Sequence, residues 1–359
     1  MVLAAHIKGA ELDYGGDGAL LPFALYMGVT GVDLFFLISG FVMTHVALDG
    51  ARGPRASARF LFNRAARIYP VYWTVTIGLI VLYAGKFVLF GEATPFNNPI
   101  ATFLLLPDDE YPLAPVGWTL VHEMYFYAVF ALFVLAARVN IVVFLLAWTA
   151  IVAIANMAGV VAANPWTRVA FSPLTFEFIG GAVIALILRR GVTAFALPAL
   201  ALGAAAVLGA SAFRAGDLYP DAVADFSRRT LIFGPMFAAV LYGAAALEAR
   251  RGAAAPKWLT LTGDASYSLY LVNTPVILVV GKTLSLVAPD GRADNPILIA
   301  SCLAASLGAA FAVYRWFEKP ALVFTRRVGE RLTPPILAGV EPAHPRACAG
   351  TNGVRRNSH

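Results

Sequence analysis

Nine separate stretches of about 20 predominantly apolar residues constrain this chain more than anything else in it, because that is the length a helix needs to cross a bilayer core of roughly 30 Å. They fall near 29–48, 68–90, 118–137, 139–163, 170–188, 192–213, 230–248, 265–284 and 296–317. Hydrophobic residues make up 59% of the 359 and charged residues 13%, with a mean hydropathy of +0.73. One soluble core could not hide that much apolar surface. The expected fold is an all-α integral membrane protein, a polytopic bundle of nine visible transmembrane helices whose partner is the lipid bilayer.

The net charge of +6 would suggest nucleic acid in a soluble domain, but the basic residues lie between apolar runs, so no nucleic-acid partner is expected. Alternating the loops between two sides collects Arg52, Arg55, Arg59, Arg64, Arg67, Arg138, Arg189, Arg190, Arg250, Arg251, Lys257 and the Arg-rich tail on one of them. That side holds nineteen of the 27 Lys and Arg residues. The other receives Asp108, Asp109, Glu110, Asp217, Asp221, Asp225, Asp290 and Asp294. The positive-inside rule then puts the basic loops and the C-terminus in the cytoplasm. The N-terminal residues fall outside, too short and too polar to be a signal peptide. Either a further helix precedes them, with MVLAA as its outer end and ten spans in all, or the short tail crosses with the first hairpin. Residues 1–331 read as the membrane domain and 332–359, rich in Pro, Arg, Ala, Gly and Asn, as a disordered cytoplasmic tail. Cys302 and Cys348 offer neither a disulfide framework nor metal-ligand spacing, so no metal is expected.

Ionisable groups within spans cost roughly 2.5 to 3.5 kcal/mol at mid-helix on insertion scales, so each needs a reason. Asp33 opens the first span, Glu123 lies one turn into the span that starts at Trp118, and Glu177 sits in LTFEFIGG. Glu123 shares its helix face with Phe126 and Tyr127. It reads either as a catalytic carboxylate aimed at an imidazole or as an acid paired with a neighbouring helix. His122 points about 100° away from it, which excludes a dyad of the two. Arg64 and Arg67 project from one face at i, i+3, a clamp for phosphate or pyrophosphate or else an anchor to lipid headgroups. No phosphate-binding glycine loop accompanies them. His6, at the outer end of a preceding helix, would be a neutral imidazole able to take a proton from a hydroxyl; without that helix it is a tail histidine.

At these residues the chain resembles the membrane acyltransferase-3 family, which O-acetylates exopolysaccharides, lipopolysaccharide O-antigens and other hydroxylated acceptors. The pieces are His6, GVDLFFLISGF from Gly31, the Arg64 and Arg67 pair followed by IYPVYW, GWTLVHEMYFY from Gly117, FEFIGG from Phe176, GDASYSLYLVNTP from Gly263 and WFEKP from Trp316. They occur in family order along nearly the whole chain. The resemblance implies a catalytic His6 supported by Glu123, an acyl-CoA donor, typically acetyl-CoA, bound through Arg64 and Arg67, and a glycan or similar acceptor at a bacterial inner membrane. Asp33, Ser39, Tyr267 and Asn273 fall in matching motifs as structural or supporting residues. Asn273 stands where many relatives have histidine, which leaves hydrogen bonding but no proton transfer at that position.

Direct attack by the acceptor hydroxyl and passage through an acyl-histidine remain open alternatives at this stage. A transporter or flippase of a polar or lipid-linked sugar, using Asp33, Glu123 and Glu177, is the competing class, and an inactive truncated relative a third. No internal repeat is visible, which disfavours inverted-repeat transporters. Acceptor identity and oligomeric state are not readable from the residues.

Overall fold

The computed structural model describes residues 1–91, 98–214, 225–252, 256–288 and 292–332; all of the expected tail beyond residue 332 lies outside them. Apart from one isolated bridge between Gly15 and Ala293, the described residues form no β-structure. That suits a chain in lipid, where backbone groups have no water and must bond within their own segment.

The helices are α1 (Val2–Tyr14), α2 (Gly31–Asp49), α3 (Pro54–Phe90), α4 (Pro99–Leu104), α5 (Trp118–Leu135), α6 (Ile141–Met157), α7 (Pro165–Ala170), α8 (Leu174–Arg189), α9 (Ala196–Arg214), α10 (Phe226–Arg251), α11 (Lys257–Asp264), α12 (Ser266–Val287), α13 (Asn295–Val313) and α14 (Lys319–Leu332). Polar residues start several of them: the side chains of Asn98, Asn140, Asn164, Asp225 and Asp294 each accept from a backbone N–H of the first turn.

Among the described residues, seven helices are long and apolar enough to cross a membrane. The nine expected spans are therefore matched at seven places. At the other two, 139–163 and 192–213, stand the shorter apolar helices Ile141–Met157 and Ala196–Ala212. Large apolar side chains such as Ile77, Val81, Leu146, Ile154, Leu202 and Leu231 are exposed on the outside of the bundle, where lipid would be their solvent.

Two helices run further than their hydropathy indicates. The basic stretch expected as a loop before a span at 68 is instead continuous helix, because α3 extends unbroken for 37 residues through Pro70. Proline removes one backbone donor there. The aromatic residues around it make up for more than that, since Tyr69, Tyr72 and Trp73 donate to the carbonyls of Leu104, Thr102 and Phe103 at 2.8, 2.7 and 2.8 Å. These carbonyls lie at the end of short α4, where those of Phe103 and Leu104 have no intrahelical partner. At the other end of the chain, α13 passes through a π-turn, Tyr314–Glu318, directly into α14.

Close helix crossings hold the centre. A Cβ on Gly40 would lie 1.8 Å from the Phe178 carbonyl oxygen, and one on Gly181 would lie 1.8 Å from that of Leu37, so α2 and α8 touch backbone to backbone at a small-residue contact. An aromatic layer of Phe126, Phe130, Trp148 and Phe178 fills the space between α5, α6 and α8, with Phe126 and Phe178 4.7 Å apart.

Candidate active site

His6 lies in the second turn of α1, which packs along α12. The two helices are parallel: His6 meets Asn273, and eight residues later on both helices Tyr14 lies against Gly281, where a Cβ would come within 2.4 Å of the ring. Backbone bonds between Tyr14 and Ala293 and between Gly16 and Ala293 tie the end of α1 to the start of α13. Buried Glu11 takes Lys8 Nζ at 2.9 Å and the backbone N–H groups of Leu20 and Leu21, which folds the following loop back onto the helix.

The Asn273 amide orients the imidazole. Its Nδ2 donates to the carbonyls of Leu269 and Tyr270 at 2.8 and 2.7 Å, which leaves Oδ1 facing His6 Nδ1 at 2.5 Å. An amide oxygen can only accept, so Nδ1 carries the hydrogen and Nε2 keeps its lone pair. This tautomer assignment follows from the bonding pattern. Thr274 Oγ1 lies 3.4 Å from the same Nδ1.

A second polar cluster forms where α2, α3, α5, α12 and the π-turn meet. Glu123 is buried and its Oε1 accepts from Ser39 Oγ at 3.2 Å and from the Tyr127 hydroxyl. The charges of Arg67 and Arg64 act on Glu123, and Arg67 acts on Glu318 as well. Arg64 lies over the rings of Phe60 and Tyr127, 5.6 and 5.9 Å from their centroids, and its Nε is buried with no hydrogen-bond partner. Tyr267 donates to the Ile68 carbonyl at 2.8 Å, directly beside Arg67, and Ser268 bonds Glu318.

The expected residues thus fall into two groups. Arg64, Arg67, Glu123, Ser39 and Tyr267 come together, and His6 joins Asn273. Glu123 and His6 are not hydrogen-bonded to each other: Glu123 bonds Ser39 and Tyr127, while α1 packs on α12 and α13 and the His6 ring bonds Asn273. The same helix serves both groups. Tyr267 and Asn273 are six residues apart on α12, about 9 Å along its axis at 1.5 Å per residue.

Asp33 belongs to neither group. Arg229, in the first turn of α10, donates from Nε to both its oxygens at 2.7 and 3.0 Å, and from Nη2 to the Val29 carbonyl at 3.2 Å. Both side chains are almost wholly buried. Glu177 lies beside this pair, its carboxyl oxygens buried without a hydrogen-bond partner.

Set beside known proteins, residues 1–315 match the family model described as an acyltransferase domain. The chain belongs to the membrane acyltransferase-3 family. The exopolysaccharide production protein ExoZ of Rhizobium meliloti (strain 1021) is 31% identical to it over 306 residues, 82% of this chain and 90% of that protein. No solved structure matches it. Family and apolar helices together make this acyltransferase a multi-pass membrane protein.

Two residues of the acyltransferase escape a reading of its sequence. Arg229 borders an apolar run and counts as one more loop cation, although Asp225 four residues earlier marks a helix start that would carry Arg229 inward as the counter-ion of Asp33. Glu318 lies in WFEKP but shows no sequence sign of the π-turn that turns it towards Ser268.

Proposed function

We propose that this protein is an O-acyltransferase of the bacterial inner membrane that moves an acetyl group from cytoplasmic acetyl-CoA to a hydroxyl of a cell-envelope glycan. The observation that carries the reading is the His6 and Asn273 pair, which leaves one basic imidazole nitrogen, Nε2, without a partner among the described residues. The name of the similar exopolysaccharide production protein supports a polysaccharide acceptor.

The donor side fits an anionic ligand. Arg64 and Arg67 sit close together, and a buried guanidinium N–H with nothing to bond, Arg64 Nε, suits a phosphate oxygen of acyl-CoA. Tyr267, which bonds the carbonyl next to Arg67, and Asn273, which bonds His6, are offset by about 9 Å along α12, within reach of a pantetheine arm. His6 Nε2 takes the proton of the acceptor hydroxyl as that oxygen attacks the thioester carbonyl. The C–S bond then breaks, and the departing thiolate recovers the proton from Nε2. Asn273 Oδ1 keeps the Nδ1 hydrogen in place throughout and stabilises the transient imidazolium. Glu123, held by Ser39 and Tyr127, balances the arginine charges. With the basic loops and the C-terminus in the cytoplasm, donor and acceptor meet within the bundle from opposite sides.

The test is acceptor-dependent CoA release by the full chain in lipid nanodiscs, with acetyl-CoA and a bacterial exopolysaccharide extract. A His6→Ala variant should lose roughly 100-fold or more of the rate while still binding acetyl-CoA. Arg64→Ala and Arg67→Ala should raise KM for acetyl-CoA. A rate that survives His6→Ala would overturn the assignment of His6 as the base.

A further inference from the structure

At the acid-rich end of the bundle a cavity of about 560 Å3 opens between the loop before α5, the first turns of α5 and α10, and α7. That volume is within the usual range of small-molecule sites, roughly 300 to 1,000 Å3. One wall is aromatic: the rings of Trp118 and Phe226 are stacked with centroids 5.4 Å apart and planes 11° from parallel, and exposed Tyr111 stands at the rim.

The cavity is rich in hydrogen-bond acceptors, with donors from Tyr111, Asn156, Arg168 and Ser227 beside them. His122 lines it and is only 6% exposed. Its Nδ1 lies 3.1 Å from the Trp118 carbonyl, which can only accept, so Nδ1 holds the hydrogen and Nε2 is an acceptor. No hydrogen bond to Nε2 is formed among the described residues, which leaves it able to accept from a ligand in the cavity. Asp108, Asp109, Glu110 and Asp225 add carboxylates, of which Asp108 accepts from Asn98, Asp109 pairs with Arg168 and Asp225 pairs with Arg228. A ligand that suits this lining presents a flat apolar face, exchanges several hydrogen bonds and carries no negative charge. A neutral pyranosyl unit meets all three conditions, its C–H face against the rings and its hydroxyls towards His122 and the carboxylates.

The wall is also connected to the catalytic cluster. Thr119, next to Trp118, bonds the Tyr270 hydroxyl at 2.8 Å, and the Tyr270 carbonyl is one of the two that fix the Asn273 amide. We propose that this cavity holds a neutral sugar unit of the acceptor, flanking the unit whose hydroxyl is acylated, and so selects neutral over acidic glycans. This rests on the reading of the protein as a glycan acyltransferase.

The experiment measures binding directly, by intrinsic tryptophan fluorescence of the full chain in nanodiscs. The probes are neutral gluco-, galacto- and manno-tetraoses and tetragalacturonate, with acetyl-CoA titrated separately. The unaltered protein should bind at least one neutral tetraose and bind tetragalacturonate roughly tenfold more weakly or worse, a difference of about 1.4 kcal/mol. Tyr111→Ala, at the exposed rim, and His122→Phe, in the floor, should each weaken the neutral ligand by a similar factor and leave acetyl-CoA affinity unchanged. Should His122→Phe fail to fold, the rim variant alone still decides. If no neutral tetraose binds, or Tyr111→Ala binds it as tightly as the unaltered protein, the cavity is not a sugar subsite, whatever the enzyme does with acetyl-CoA. If sugars bind with this pattern but no acyl transfer occurs, the subsite stands and the catalytic reading fails.

Discussion

An imidazole acts as a base only through a nitrogen that carries no proton, and in His6 an amide makes that choice. Asn273 spends both its N–H groups on α12 carbonyls and offers only its oxygen to Nδ1, so the ring cannot flip its tautomer without leaving an acceptor facing an acceptor. The Asn273→Leu variant should therefore lower kcat about 10- to 100-fold, the usual cost of removing such an outer partner, with KM for acetyl-CoA little changed. Asn273→Asp keeps an oxygen at Nδ1 and should retain more activity than Asn273→Leu. Steady-state kinetics of the two separate positioning from packing, because a purely structural role would cost both variants alike. At this scale Glu123 and the two arginines stood out in the sequence as candidates, polar residues in or beside apolar runs, and His6 through the family resemblance. Their grouping did not, because it depends on which helices are neighbours, and adjacency in space leaves no trace in spacing.

Between elements, α2 and α10 are joined by a buried ion pair, Asp33 with Arg229. It occupies both carboxylate oxygens, which weighs against the use of Asp33 as a mobile proton site. Such a pair contributes little net energy when intact, yet breaking it leaves one charge buried and alone. An Arg229→Leu variant should lose about 3 to 5 kcal/mol of stability, read as a lowered thermal midpoint in nanodiscs, and combining it with Asp33→Leu should recover most of the loss. Failure of the double variant to recover would mean that Glu177, beside the pair, also depends on Arg229. The apolar runs announced nearly every long helix. What they could not announce was the helical continuation of α3 through Arg55, Arg59, Arg64 and Arg67, because hydropathy registers only the part of a helix that sits in lipid, while the polar part is held by packing against α5 and α14.

For the whole molecule, the property that decides the proposed reaction is orientation, since that reaction needs a donor from the cytoplasm and an acceptor from outside, which can meet only if the two ends of the bundle face different compartments. Charge separates those ends. The acids near the cavity, Asp108 to Glu110 and Asp225, lie at the end opposite Arg52, Arg138, Arg189 and Arg190, which follows from the alternating direction of α5, α6 and α8. In a background with Cys302 and Cys348 replaced by serine, a cysteine at Glu110, which is exposed, should react with a membrane-impermeant maleimide on spheroplasts of the producing cells. A cysteine at Arg138 should react only after the membrane is opened. The reverse pattern would put the proposed sugar cavity in the cytoplasm and Arg64 with Arg67 at the far side, out of reach of the acyl-CoA pool, and the transfer reaction proposed for His6 would then lose its donor.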